Sequence, residues 1–308
     1  MWHFISDQIS TQINHTFICE TAKMVHEQHQ HTCYVLKGTN KRYFVKLRES
    51  SQASPDKSVS PTPLKSEAES LTAIEASESV TTPQVICYGL FEENHKFIEY
   101  LVLQYISFKS PTRLLWEMAG NQLAQMHQYP TENLAKFNNS YFGWHQPNWV
   151  GSTIQNNVKT KSWATFYCQH RLERLLAGLT SKGVNLKITD VVLDQIHQYL
   201  SNHTPKPSLL HGDLWRGNLG FTRCLPIIFD PAVYIGDREI DLAMAKLFGG
   251  FAQRFFDVYE QMFPLKEGAK LRLLLYQLYP IMNHALMFGG DYLHQTNHLV
   301  DKIQQQMV

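Results

Sequence analysis

The sequence predicts an α+β fold in two lobes, a small β-rich N-lobe carrying one key helix and a larger, mainly helical C-lobe. Three features predict it. Up to about residue 106, β-branched and aromatic runs alternate with turn residues and are interrupted by a single helical pattern. From residue 107 onward, helical periodicity dominates. Between those helices, "SLLHGDLWRGNLGF" (208–221) and "LPIIFDPAVYIGD" (225–237) place acidic and amide side chains at the ends of short apolar strands. The expected division is an N-lobe over 1–106 and a C-lobe over 107–308.

The elements follow in order. "TCYVLKGTNKRYFVKLR" (32–48) reads as a hairpin, with turn residues in "KGTNK". "ESSQASPDKSVSPTP" (49–63) is rich in Ser and Pro and reads as an exposed loop. "LKSEAESLTAIEAS" (64–77) reads as a helix, and "QVICYGL" and "KFIEYLVLQYI" as two further strands. Helices are expected over 113–129, 162–180 and 189–203, and again from "EIDLAMAKLFGGF" to "HLVDKIQQQM".

Composition narrows the function. A net charge of +1 and the lack of a Lys/Arg run interleaved with aromatics give no case for nucleic acid or an anionic membrane. "MWHFISDQISTQ" lacks the basic and apolar regions of a signal peptide, and no apolar run has the length of a bilayer span. Five dispersed cysteines without a CxxC pair read as reduced thiols, so the expected setting is the cytoplasm.

Lys46 lies inside "YFVKL", on the strand face shared with Phe44. Taken alone it reads as well as a solvent-face lysine whose stem covers the sheet. Glu67 changes this, because it falls on the apolar stripe Leu64, Leu71, Ile74 of the following helix. A carboxylate on that face calls for a cation, and Lys46 is one strand upstream. Protein-kinase-like enzymes hold the α/β-phosphates of ATP with such a pair. Glu69 and Glu75 fall off the stripe and read as solvated charges.

Asp213 stands two residues after His211 and five before Asn218. This is the spacing of a kinase catalytic loop, in which the Asp accepts or orients the proton of the attacking hydroxyl and the Asn binds metal. Asp230 closes the apolar run "LPIIFD", where it can join Asn218 on Mg²⁺. Asp241 and Glu239 could cap a helix, and Asp241 could instead brace the backbone around His211. In "LVLQYIS", the segment joining the lobes, Gln104, Tyr105 and Ile106 are positioned to offer backbone groups to adenine. His26, His29 and His31 read as exposed loop histidines, and His127 as a core or helix-end residue.

With these residues placed, the chain resembles the fructosamine kinase (ketosamine kinase) family, a branch of the kinase-like aminoglycoside/choline phosphotransferases. The likeness rests on "YFVKL", "EAESLTAI", "NWVGSTIQNN" (148–157), "SWATFYCQHRL" (162–172), "LLHGDLWRGN", "IIFDPA", "EIDLAMAKLFGGF" and "LYPIMNHALMFGGDYL" (278–293). It runs from about residue 32 to the end. The resemblance implies a protein-kinase-like fold, ATP and Mg²⁺ as cofactors, and phosphorylation of the sugar O3′ of ketosamines, free or on glycated lysine or protein. The resulting 3-phosphate is unstable, so the reaction would remove the glycation adduct. Carried over, Asp213 is the base, Asn218 and Asp230 hold the metal, and Lys46 and Glu67 set the phosphates. Trp215 walls the sugar site, and Gln155 and Asn157 are substrate contacts.

One departure stands out. The family has a glycine pair in the loop over the phosphates, but "MVHEQHQHTCYVL" (24–36) has none before Gly38. Without glycines the loop must stand off the phosphates or use side chains. Two alternatives therefore accompany the ketosamine kinase: a kinase for another amino alcohol, aminoglycoside or sugar, and a nucleotide-binding pseudokinase.

Overall fold

The computed structural model describes residues 1–27, 31–50, 62–134 and 141–307. The N-terminal part is a five-stranded antiparallel sheet in the order β1-β2-β3-β5-β4. Its strands are β1 (Thr21–Glu27), β2 (Thr32–Lys37), β3 (Arg42–Glu49), β4 (Val85–Glu93) and β5 (Lys96–Gln104). Helix α1 (Trp2–Ile13) and helix α2 (Pro63–Glu75) pack on opposite faces.

The period of two along β3 decides which residue meets which helix. Tyr43, Val45 and Leu47 join Ile5 and Ile9 of α1 in one core, and Leu64, Ala68 and Leu71 of α2 meet Leu101 and Leu103 in another. Each Val, Leu or Ile among them contributes about 1.5–3 kcal/mol on burial. Lys46 therefore shares the α2 face with Phe44, as expected.

The hairpin, the helix at 64–77 and both later strands stand where the sequence places them. Neither α1 nor β1 was expected, and together they complete the sheet and cover its outer face. Most of the Ser/Pro-rich stretch, residues 51–61, lies outside the described residues.

The C-terminal part is built on helices α3 (Arg113–Gln128), α4 (Trp163–Tyr167), α5 (Glu173–Ser181), α6 (Asp190–Ser201), α7 (Glu239–Leu247), α8 (Gln253–Met262), α9 (Ala269–Phe288) and α10 (Asp291–Met307). The helix expected over 162–180 is one rod interrupted by a π-turn, Cys168–Leu172, between α4 and α5. Three two-stranded ribbons lie among the helices: β6 (Asn148–Val150) with β7 (Thr153–Gln155), β8 (Ser208–Leu210) with β11 (Tyr234–Gly236), and β9 (Leu219–Phe221) with β10 (Pro226–Ile228). Among the described residues no helix is long and apolar enough to cross a membrane.

Candidate active site

Lys46 is 3 % exposed, so its ammonium must be paired. It donates to both oxygens of Glu67, at 2.9 and 3.0 Å, and to Asp230 Oδ1 at 2.5 Å. Burial works against the charge, but the carboxylates of Asp230 and Glu67 outweigh it and raise the Lys46 pKa. The solvent-face alternative for Lys46 is thereby corrected. Glu67 is pushed up by burial against the pull of Lys46. Burial would also raise Asp230, but the neighbouring ammonium holds it below the usual range.

Glu67 is held by the way α2 begins. Thr62 and Pro63 start the helix, and buried Glu99 on β5 accepts hydrogen bonds from the backbone of Leu64 at 2.8 Å and Lys65 at 3.0 Å, and from the Thr62 hydroxyl. This carboxylate caps the positive end of α2 from across the sheet. Glu69 is not merely solvated, because the side chain of Gln146 donates to it and ties α2 to the segment before β6.

The segment His211–Asn218 leaves β8, whose Leu209 and Leu210 are fully buried. Gly212 takes φ +80°, and a Cβ there would stand 2.1 Å from the Ala232 carbonyl oxygen, so glycine is required. Asp241 accepts from the backbone N–H groups of His211 (2.7 Å) and Gly212 (2.9 Å). This is the brace allowed by the sequence, formed from the first turn of α7. His127, fully buried, lies 3.1 Å from Asp241 through Nε2 and 2.8 Å from the Tyr259 hydroxyl through Nδ1. It is thus a support of the loop as well as a core residue. His211 is buried, with Nε2 3.0 Å from the Phe229 carbonyl and Nδ1 accepting from the Asp213 N–H at 3.2 Å.

Asn218 donates its amide to the Asp213 carbonyl at 2.8 Å and to Asp213 Oδ2 at 3.1 Å. The amide oxygen Oδ1 is the acceptor that remains on Asn218. Burial and the charge of Asp230 push Asp213 well above the usual carboxylate range, and the Asn218 hydrogen bond only partly offsets them. Such a carboxylate is a better proton acceptor. Asp230 has φ +56°, a left-handed conformation uncommon outside glycine. Asn218 Oδ1 and the Asp230 carboxylate are hard oxygen donors of the kind a divalent cation takes beside phosphate.

These groups share one cavity of about 960 Å³. Lys46, Glu67, Asp213, Trp215, Asn218 and Asp230 line it, facing Asn148–Ser152 of the β6–β7 hairpin. Trp215 is 41 % exposed, available as a wall. Gln155 and Asn157, expected as substrate contacts, do not line the cavity. They are 1 % and 3 % exposed; Gln155 ends the hairpin and Asn157 follows it, and their amides are used internally. Gln104, Tyr105 and Ile106 do not line it either.

His31 does line the cavity and is partly buried, which corrects its reading as an exposed loop residue. Burial and the Lys46 charge lower its pKa to about 4, so it is neutral near pH 7. Glu27, at the other end of the β1–β2 connection, lines the cavity too. Residues 28–30, including His29, lie outside the described residues, and His26 is exposed on β1. Burial pushes the Cys33 thiol up to about 11.

Sequence reasoning missed Glu99, Asn148 and the function of His127. None stands in a spacing that signals its partner. His203, Asp237 and Glu239 also cluster, but their ligand atoms are engaged by one another, by Tyr276 and by Arg272.

The chain matches the profile of the family described as "Fructosamine kinase" over residues 1–306. It is 37 % identical to a "Probable ketoamine kinase" of Vibrio parahaemolyticus, covering 98 % of this chain and 99 % of the relative. A protein of the same description from Synechocystis is 35 % identical, with 97 % and 95 % covered. Among solved structures, a "Putative fructosamine-3-kinase" from Haemophilus somnus superposes with a TM-score of 0.86 at 26 % identity, covering 98 % of this chain and 97 % of that one. The aminoglycoside phosphotransferase APH(4)-Ia, in a ternary complex with AMP-PNP and hygromycin B, shares the fold alone: TM-score 0.59, 12 % identity, 98 % and 97 % covered.

Proposed function

Because the chain belongs to the fructosamine kinase family and is a phosphotransferase, we propose that it uses ATP to phosphorylate the sugar hydroxyl of ketosamines, the adducts of sugars with amines and lysines. The observation that carries this reading is the joining of Lys46, Glu67, Asp213, Asn218 and Asp230 in one cavity. Residues 1–106 serve the nucleotide and 107–308 the acceptor, with backbone groups of Gln104–Ile106 for adenine.

The acceptor hydroxyl gives its proton to Asp213 as its oxygen attacks the γ-phosphorus and the bond to the β-phosphate oxygen breaks. Lys46, fixed by Glu67, lies against the α/β-phosphates and offsets their charge. Asn218 Oδ1 and Asp230 would hold Mg²⁺, which supplies charge neutralisation at the transferring group. Glu27 and His31 line the edge of this cavity. A phosphate at C3 sits on the carbon next to the C2 carbonyl. Loss of a C1 proton gives the 1,2-enaminol, phosphate leaves from C3, and water hydrolyses the C1 imine that results. This frees the amine and a 3-deoxy dicarbonyl sugar, so the outcome is repair of glycation.

The test is ADP release with Mg²⁺, comparing ribulose-lysine, fructose-lysine, a plain amino alcohol and no acceptor. Turnover on the ketosamines alone is the expected result. ATP binding without turnover on any acceptor, or turnover on the amino alcohol alone, would overturn the reading.

A further inference from the structure

Arg171 is fully buried, yet among the described residues no carboxylate comes within salt-bridge distance of it. It sits in the π-turn between α4 and α5, a distortion that often marks a functional position. Its guanidinium stacks against the rings of Tyr234 (4.2 Å), Phe166 (4.6 Å) and Tyr279 (5.5 Å). It donates to the Asn156 carbonyl at 2.7 Å and to Asn157 Oδ1 at 2.8 Å. Among the described residues its Nε has no hydrogen-bond partner.

The network continues to the cavity. Asn157 Nδ2 donates to Asn148 Oδ1 at 2.9 Å, and Gln155 Nε2 donates to the same oxygen at 3.0 Å. Tyr279 donates to Gln155 Oε1 at 3.0 Å. Asn148, the first residue of the hairpin, donates to the Val233 carbonyl at 2.7 Å, and Gln155 reaches the Ala232 carbonyl at 3.4 Å. Ala232 in turn donates to the His211 carbonyl at 2.8 Å, two residues from Asp213.

A buried cation without a carboxylate is a poor way to gain stability, and apolar residues of the same volume fill such space at least as well. What a directional network adds is a fixed position. We propose that Arg171, Asn157 and Gln155 are positioning residues. They hold the hairpin wall Asn148–Ser152 at a set distance from Asp213, and so govern affinity for the acceptor rather than for the nucleotide. The proposal rests on the kinase reading above.

The test is steady-state kinetics on Tyr279→Phe and Asn157→Ala, with Arg171→Lys compared with Arg171→Met. The expected result is an acceptor KM raised about tenfold, an ATP KM within about twofold of wild type, and partial rescue by Arg171→Lys relative to Arg171→Met. An unchanged acceptor KM, or equal rises in both KM values, would overturn the proposal. If the wild-type protein transfers phosphate to no ketosamine, the kinase reading fails by itself. Amide hydrogen exchange then decides the positioning claim. Faster exchange confined to 148–155 in Tyr279→Phe and Asn157→Ala supports it, and unchanged exchange there contradicts it.

Discussion

At the scale of single residues, three carboxylates, Glu67, Asp213 and Asp230, meet one ammonium, Lys46, in the cavity. Asp213 faces the cavity with its pKa raised by burial and by Asp230, and it is fixed by Asn218. In the proposed reaction, Asp213→Asn keeps the shape and removes the proton acceptor. We expect kcat to fall by about 10²–10⁴-fold with nucleotide affinity retained, read by ADP release and by nucleotide titration. Lys46→Met removes the cation between Glu67 and Asp230 and leaves two carboxylates opposed. The ATP KM should rise at least tenfold or so, and melting should fall, though by less than for a sealed pair because Asp230 is 39 % exposed. That Lys46, Glu67, Asp213, Asn218 and Asp230 line one cavity was legible, because each stands at a spacing that a kinase site would impose. Gln155 and Asn157 are buried and do not line the cavity. Residue type gives the hydrogen-bonding capacity of an amide but not the direction in which a short hairpin turns it.

At the scale of elements, the positions of α2 and the loop after β8 depend on groups far away in sequence. Glu99 on β5 closes the first turn of α2 and so sets where Glu67 stands. Glu99→Ala should destabilise the protein by about 1–2 kcal/mol and weaken nucleotide binding in parallel, measured by chemical denaturation and by the ATP KM. Gly212→Ala places a Cβ against the Ala232 carbonyl at a positive φ, and we expect a loss above about 1 kcal/mol. The strands and helices with clear periodicity were legible. Helix α1 carries Ile5 and Ile9 at helical spacing, but Met1 makes no capping bond, so no start signal accompanies the stripe. Strand β1 is an exposed edge without alternation. The π-turn is silent in sequence, because the apolar pattern of 162–180 continues through it.

At the scale of the whole molecule, the sheet lobe and the helical lobe meet around one cavity, and buried polar chains fix the C-terminal side. Arg238 donates to Tyr259, which meets His127, which meets Asp241 beneath the loop after β8. A second chain joins Trp163, Tyr276, Asp237 and His203. Burial alone would raise Asp237, but the hydrogen bonds and charge of His203 and the Tyr276 hydroxyl depress it. A depressed carboxylate stabilises the fold above its unfolded value of about 3.9, and that contribution is lost as pH falls through the lower folded value. Stability set by Asp237 should therefore hold at neutral pH and fall away below about pH 4. Asp237→Asn should be less stable near pH 7 and show a flatter acid limb in melting temperature against pH. The two-lobe plan was legible from the distribution of strand and helix patterns. These chains were not, since His127 and Tyr259 stand 132 residues apart.

The most direct measurement of the central claim is mass spectrometry of a ribulose-lysine peptide incubated with ATP and Mg²⁺, comparing wild type with Asp213→Asn. The account predicts a transient gain of one phosphate on the sugar followed by recovery of the unmodified lysine with wild type only. An unchanged adduct with wild type, or equal conversion by the variant, would contradict it.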